Sequence, residues 1–251
     1  MRKLYSADIP CQAGCKYCFA KWEDMYTGLS QLGDEQLCEK EVIIYPCCDG
    51  EFFEQRRLTE YVKKAVEKTD KVYVSISTKR FISDAELSTL TQLHQELVSS
   101  GKGFVKLAVS LSSQSMLGEI EPGTLPYGER VELARRIKNA GIFCALTIKP
   151  VLPFISSDEY CRIIQDFREY TKYILIGGLY INKESEFYTQ YFTSENMVQK
   201  RIVEWLPKRP EWNYVQDDKQ LEEIRAFANK EGALVFDSDV ELIQAYIRRG
   251  E

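Results

Sequence analysis

At 251 residues, 44% hydrophobic and 28% charged, the chain has the length and balance of one globular α/β domain, which excludes a disordered segment. A net charge of −5 excludes a broad basic face for duplex DNA, though not a local basic groove. The single histidine excludes His-based catalysis and a His-rich metal site, and no stretch approaches the roughly 18 consecutive apolar residues of a membrane span.

In chain order, the first predicted strand is KLYSADI (3–9). It leads into PCQAGCKYCF (10–19), which sets Cys11, Cys15 and Cys18 within eight positions. EVIIYP (41–46) is a second strand and runs into CCDGEFF. LTEYVKKAVEKT (58–69) then places Leu58, Val62 and Val66 on one helical face. A third strand, KVYVSIST (71–78), precedes the helix DAELSTLTQLHQELVSSG (84–101), with Asp84 as N-cap, Gly101 as its stop and His94 on its exposed side. FVKLAVSL (104–111) and the helix YGERVELARRIKNAG (127–141) follow. So do IFCALTIKPV (142–151), a helix over 157–171 starting at Ser157 or Asp158, and a sixth strand, YILIGGLYI (173–181). Thr147 and Lys149 alternate on the fifth strand and read as facing the barrel mouth, with an exposed strand-end charge the alternative for Lys149, while Cys144 and Cys161 read as core. The remainder is less regular: FYTQYFTSENMVQKRIVEWLPKRPEW, a helix near 218–231, a short strand ALVFDSD and a last helix VELIQAYIRR. Six β-then-α units in succession predict a parallel sheet with helices outside, an open barrel rather than the closed eight-unit form.

Chemistry in such architectures sits on the loops after the strands, which is where the three cysteines fall. The start MRKLYSADIP opens no apolar signal segment, so the eight cysteines point to a reducing cytoplasm, where clustered thiols bind metal. Three thiolates hold three corners of a 4Fe–4S cluster and leave one iron open to a small molecule. The alternatives are a zinc knuckle completed by Cys38, or buried cysteines alone.

The spacing Cys-x3-Cys-x2-Cys after a first strand resembles that of the radical S-adenosylmethionine superfamily. The resemblance implies a cluster held by Cys11, Cys15 and Cys18 whose open iron chelates S-adenosylmethionine (AdoMet). It also implies reductive cleavage to methionine and a 5′-deoxyadenosyl radical that takes a hydrogen atom from substrate. The electron would come from a reductant such as flavodoxin or ferredoxin. Tyr17 matches the aromatic position bordering the adenine. Gly50–Glu51 resembles the end of the turn whose backbone carbonyls receive the AdoMet ammonium. Cys48–Asp49 replaces its opening glycine, which makes the carbonyls of Cys47, Cys48 and Asp49 the expected acceptors.

Three further stretches, VSISTKRFISDAELSTL, EIEPGTLPYGERVELARRIKNAGI and IKPVLPFISSDEY, resemble the spore photoproduct lyase branch, over about residues 5–160. They imply that Lys79 meets the methionine carboxylate, that Ser110 or Ser112 meets the ribose, and that Glu121 and Pro122 sit at the rim over sugar or substrate. In that branch a cysteine after the second strand returns a hydrogen atom to the product, a role open to Cys47 or Cys48; packing and a second cluster are the alternatives. The implied fold is a partial (βα)6 TIM-type barrel, the radical SAM fold, in one domain: a core over about 1–185 and a short irregular extension over about 186–251. That extension carries one basic-aromatic stretch, QKRIVEWLPKRPEW, which reads either as a nucleic-acid groove or as a helix packed on the barrel. DNA repair is therefore not favoured over activation of a glycyl-radical partner or modification of a peptide or small metabolite. No membrane partner is expected, and a non-catalytic iron–sulfur sensor has no use for the Thr-Lys and Glu-Pro segments.

Overall fold

Runs rich in β-branched and aromatic residues fit a pleated, buried surface, and each of the six becomes a strand in a computed structural model describing residues 2–5, 9–21, 40–54, 58–192, 198–203 and 211–250. The strands are β1 (Arg2–Leu4), β2 (Glu41–Tyr45), β3 (Lys71–Thr78), β4 (Gly103–Ser110), β5 (Phe143–Ile148), β6 (Tyr173–Ile176), β7 (Leu179–Ile181), β8 (Val198–Ile202), β9 (Glu211–Val215) and β10 (Leu234–Phe236). The helices are α1 (Leu58–Lys68), α2 (Asp84–Ser99), α3 (Leu117–Ile120), α4 (Tyr127–Asn139), α5 (Ser157–Phe167), α6 (Glu186–Tyr191), α7 (Asp218–Lys230) and α8 (Asp239–Arg249). The main sheet runs β1-β2-β3-β4-β5-β6-β10, parallel throughout. It is the expected open α/β half-barrel with one strand added.

That added strand, β10, comes from the segment expected as an irregular extension. It pairs with β6 from Leu234 opposite Tyr173 to Phe236 opposite Leu175. A second difference is that YILIGGLYI is two strands. The chain turns at Gly177–Gly178, and β7 joins β9 and β8 in a small antiparallel sheet. Glycine is required at 178, because a Cβ there would lie 2.2 Å from the Val215 carbonyl oxygen. The described residues of the basic-aromatic stretch are not helical: 199–202 lie in β8 and 211–212 in β9, while 204–210 lie outside the described residues. Trp212 of β9 is buried beside Val203, and Trp205 lies outside the described residues.

Helix ends follow local hydrogen bonding. Ser83, not Asp84, caps α2: its hydroxyl accepts from the Glu86 N–H while the Glu86 carboxylate accepts from the Ser83 N–H. α5 starts at Ser157 as expected, and Ser156 caps it through its hydroxyl, which accepts from the Glu159 N–H. His94 is not exposed. It is 7% accessible, and its Nδ1 accepts from the Val105 N–H at 3.2 Å, while burial lowers its pKa and keeps the ring neutral. Cys144 is core as expected, and Cys161 is half-buried.

The alternation of side chains across a strand sorts the sheet into two faces. Val74, Ile76, Val105, Leu107, Leu146 and Ile148 pack under the outer helices. Ile43, Tyr73, Phe104, Phe143 and Tyr173 turn to the concave face, where Leu242 and Ile243 of α8 cover them. Tyr246 of α8 stacks on Phe143 at 3.7 Å between centroids. The same concave rows become polar towards the strand ends: Tyr73 gives way to Ser75 and Ser77, Phe104 to Lys106 and Ser110, Phe143 to Thr147 and Lys149. An aromatic floor thus underlies a polar mouth. Lys106, wholly buried in mid-strand, is neutralised by Asp239 at the start of α8, which also accepts from Ser75 Oγ at 2.5 Å. Among the described residues no helix is long and apolar enough to cross a membrane.

Candidate active site

The mouth opens into a cavity of about 910 Å³ along the C-terminal ends of the parallel strands. Cys11, Cys15 and Cys18 line one wall, on the segment that leads from β1 to a 3-10 turn at Phe19–Lys21. This segment is held by backbone bonds to the Glu-Pro stretch: Lys16 N–H donates to the Ile120 carbonyl at 2.9 Å, and Gly123 N–H to the Ala13 carbonyl at 2.9 Å. A Cβ on Gly123 would stand 2.7 Å from that Ala13 oxygen, so the approach needs glycine.

Lys79, one residue past β3, is drawn inward over the same wall. Its Nζ lies 2.7 Å from Glu121 Oε1 and 3.8 Å from Cys15 Sγ, and it donates to the Tyr17 hydroxyl. Burial pushes its pKa down, but the Glu121 carboxylate and Cys15 outweigh this and leave it raised, so Lys79 is a buried ammonium and not a solvated surface lysine. Tyr17 also lines the cavity and donates to Glu121; burial raises its phenol.

Glu121 and Ser112 lie beneath the wall rather than at the rim. Glu121 is 1% exposed and accepts from Ser112 Oγ at 2.7 Å, while its other oxygen meets Arg130 at 2.7 Å. Burial alone raises its carboxyl, but Lys79 and Arg130 overcome that and hold it at about 2. Arg130 is also wholly buried and donates to the Ser110 and Leu125 carbonyls. Ser110 itself reaches the cavity. Pro122 lies 3.6 Å from where a Cβ on Gly14 would stand, against the cysteine loop.

The opposite side is built by the loop after β2. Cys47, Cys48, Asp49, Gly50 and Glu51 all line the cavity. Glu51 accepts from Thr78 Oγ1 at 2.6 Å and from the Lys79 N–H at 3.1 Å, and burial raises its carboxyl to about 7. Cys48 donates its thiol to the Tyr5 carbonyl at 3.1 Å. The Cys47 sulfur receives the Gly50 N–H, and burial raises both thiols well above their usual range. Lys149 also reaches the cavity, whereas Thr147 does not.

The donor set fits an iron–sulfur cluster. Cys11, Cys15 and Cys18 are free thiols on one cavity wall; burial raises Cys11 to about 11, so its thiolate needs a cation beside it. Among the described residues no three His, Cys, Asp or Glu side chains gather round one point as a single ion requires. A cluster meets each cysteine through a separate iron and makes no such demand. Cys38 lies outside the described residues.

Structures of known proteins place this architecture. One spore photoproduct lyase mutant, with bound AdoMet and dinucleoside spore photoproduct, superposes with a TM-score of 0.67 at 17% identity, over 94% of this chain and 76% of that one. The fold is that of spore photoproduct lyase. Another of its structures, complexed with dinucleoside spore photoproduct, gives a TM-score of 0.65 at 17% identity over 93% and 76% of the two chains. SuiB of Streptococcus suis, bound to S-adenosylmethionine, gives 0.54 at 14% identity, over 98% of this chain and 49% of its own. No protein-family model and no curated protein matches the sequence.

The sequence reading missed Arg130, Lys106 and Asp239. Arg130 sits in a helix with Arg135 and Arg136 and carries no local mark of burial. Lys106 did carry one: a lone charge inside the apolar strand FVKLAVSL demands a buried counter-charge.

Proposed function

We propose that the chain is a radical AdoMet enzyme in which Cys11, Cys15 and Cys18 hold a 4Fe–4S cluster. The observation that carries this reading is the convergence of the three cysteines, Tyr17 and Lys79 on one wall of a cavity in the spore photoproduct lyase fold. Held by Cys11, Cys15 and Cys18, the cluster would supply the electron for reductive cleavage of AdoMet to methionine and a 5′-deoxyadenosyl radical. Lys79, fixed by Glu121, presents an ammonium to the methionine carboxylate. The carbonyls of Cys47, Cys48 and Asp49 receive the AdoMet ammonium, with Gly50 and Glu51 completing that wall. Tyr17 flanks the adenine and Ser110 the ribose.

Of the two thiols after β2, Cys47 suits hydrogen return to substrate. Both thiols line the cavity, but Cys48 commits its hydrogen to Tyr5, whereas among the described residues nothing accepts from Cys47, which burial keeps protonated. The dinucleoside held by spore photoproduct lyase supports a nucleobase-bearing substrate class. Unchanged 5′-deoxyadenosine release on adding dinucleotides counts against that class.

The test is anaerobic reconstitution, then dithionite and AdoMet. Methionine and 5′-deoxyadenosine are expected in equal amounts, and Cys11→Ala, Cys15→Ala or Cys18→Ala should abolish both iron content and release. An intact cluster that releases no 5′-deoxyadenosine refutes the proposal. Solvent deuterium should enter the product through wild type but not through Cys47→Ala, and equal labelling in the two sinks the donor role.

A further inference from the structure

The cavity is also lined by Lys149, Gly177, Gly178, Tyr180, Arg201 and Tyr214. Lys149 leaves β5 on the concave face, and its stem crosses Gly177; a Cβ there would stand 2.6 Å from Lys149 Cε. The next residue, Gly178, donates its N–H to the Tyr214 hydroxyl at 2.6 Å. Arg201 lies over the Tyr214 ring, 4.6 Å from its centroid, and 5.9 Å from that of Tyr180. Two glycines and two tyrosines therefore bring two cations, from different sheets, to the chamber.

Among the described residues neither cation forms an ion pair with a carboxylate. Lys149 Nζ donates at 2.6 Å to a neutral acceptor, the Asp237 carbonyl. The Asp237 carboxylate is engaged by Arg225, and that of Asp239 by Lys106 and Ser75. Burial lowers Lys149 to about 8; Asp239 and Asp237 work against this, and Arg201 and Lys106 reinforce it. A desolvated ammonium among other cations is costly unless an anion arrives. Lys200, on the same wall, is already paired with Glu211 at 2.8 Å.

From this we infer that Lys149 and Arg201 form a subsite in the chamber for an oxyanion group of the substrate, a phosphate or a carboxylate. The inference rests on the proposed reading of the chamber as a reaction site. It adds a requirement that the substrate be anionic, and it names the residues that select it. The Arg201 guanidinium lies over the Tyr214 ring, donates one N–H to its hydroxyl and, exposed on β8, presents its remaining N–H groups to the oxygen atoms, while Lys149 supplies the second charge.

The test is thermal melting of the reconstituted protein against inorganic phosphate and, separately, acetate, each matched to chloride at equal ionic strength. At least one anion should raise the wild-type midpoint saturably; which one does so distinguishes phosphate from carboxylate. Lys149→Met and Arg201→Met should each weaken its apparent affinity at least tenfold, with Lys149→Arg retaining most of it. Lys200→Met should leave it unchanged. Circular dichroism and the midpoint in chloride confirm that each variant is folded. No response to either anion in wild type overturns the subsite, as does equal loss on Lys200→Met and Lys149→Met. Because no turnover is read, anion binding without 5′-deoxyadenosine release refutes the radical chemistry alone. Release without an anion response refutes the subsite alone.

Discussion

Replacing Glu121 with glutamine should destabilise the protein by about 3 kcal/mol at pH 7, a figure reached by two routes. The carboxyl is held at about 2 instead of 4.5, and at ~1.4 kcal/mol per pH unit that difference is worth about 3 kcal/mol. Separately, removing one member of a buried ion pair costs roughly 3–5 kcal/mol, since its partners stay desolvated; here Arg130 is 0% and the Lys79 side chain 15% exposed. The sign follows from a lowered folded-state pKa. The stabilisation is complete above about 4.5 and disappears as pH falls towards about 2. About 1.4 kcal/mol of it should be gone by pH 3.5. The assay is urea unfolding of Glu121→Gln and wild type, both free of cluster, at pH 7 and pH 3.5. A gap below about 1 kcal/mol at pH 7, or one that fails to narrow at pH 3.5, refutes the reasoning.

Other perturbations follow from single contacts. Gly123→Ala drives a Cβ into the Ala13 carbonyl, so iron incorporation should fall severalfold while the far-ultraviolet spectrum is kept; full loading contradicts the close approach. Ser83→Ala removes the capping box of α2 and should cost ~1 kcal/mol by urea unfolding, whereas Asp84→Ala should cost clearly less. Glu51, raised to about 7, has the opposite sign to Glu121: its burial is tolerated below about 4.5 and destabilises as pH rises to about 7. In the cluster-free chain Glu51→Gln should therefore gain on wild type between pH 5 and 8, and a constant difference over that range contradicts the raised value. Leu107→Ala, wholly buried under the outer helices, should cost about 2–5 kcal/mol, and a smaller loss means that the site collapses.

Most of the scaffold was legible because parallel strands buried on both faces read as continuous apolar runs bounded by turn residues. β3 agrees with its predicted span residue for residue, and the cysteine spacing marked a segment that lines the cavity. Reading YILIGGLYI as one strand failed because hydropathy does not register two glycines; their absent side chains were the signal, and the Val215 carbonyl explains it. Ser83-x-x-Glu86 was a readable capping box that an acidic neighbour obscured. Glu121 misled for another reason. Motif position brings it to the site but does not say on which side of the wall, and only Arg130, from a different helix, decides that it lies beneath. The charges meeting at Lys106 and Asp239 are far apart in sequence, and no local pattern links them.

The last described helix has a consequence for the order of assembly. The cysteine loop and α8 lie far apart in the chain, yet α8 is what covers Phe104, Phe143 and Tyr173 beneath the chamber's polar mouth. Until Asp239 reaches Lys106, the sheet carries a bare lysine above an uncovered row of aromatic rings. Such an intermediate is poorly suited to wait in water, because its most apolar face and its most costly charge are exposed together or buried together. One docking event resolves both. Completion of the chamber and concealment of its most aggregation-prone surface are therefore a single step, and α8 acts as its latch.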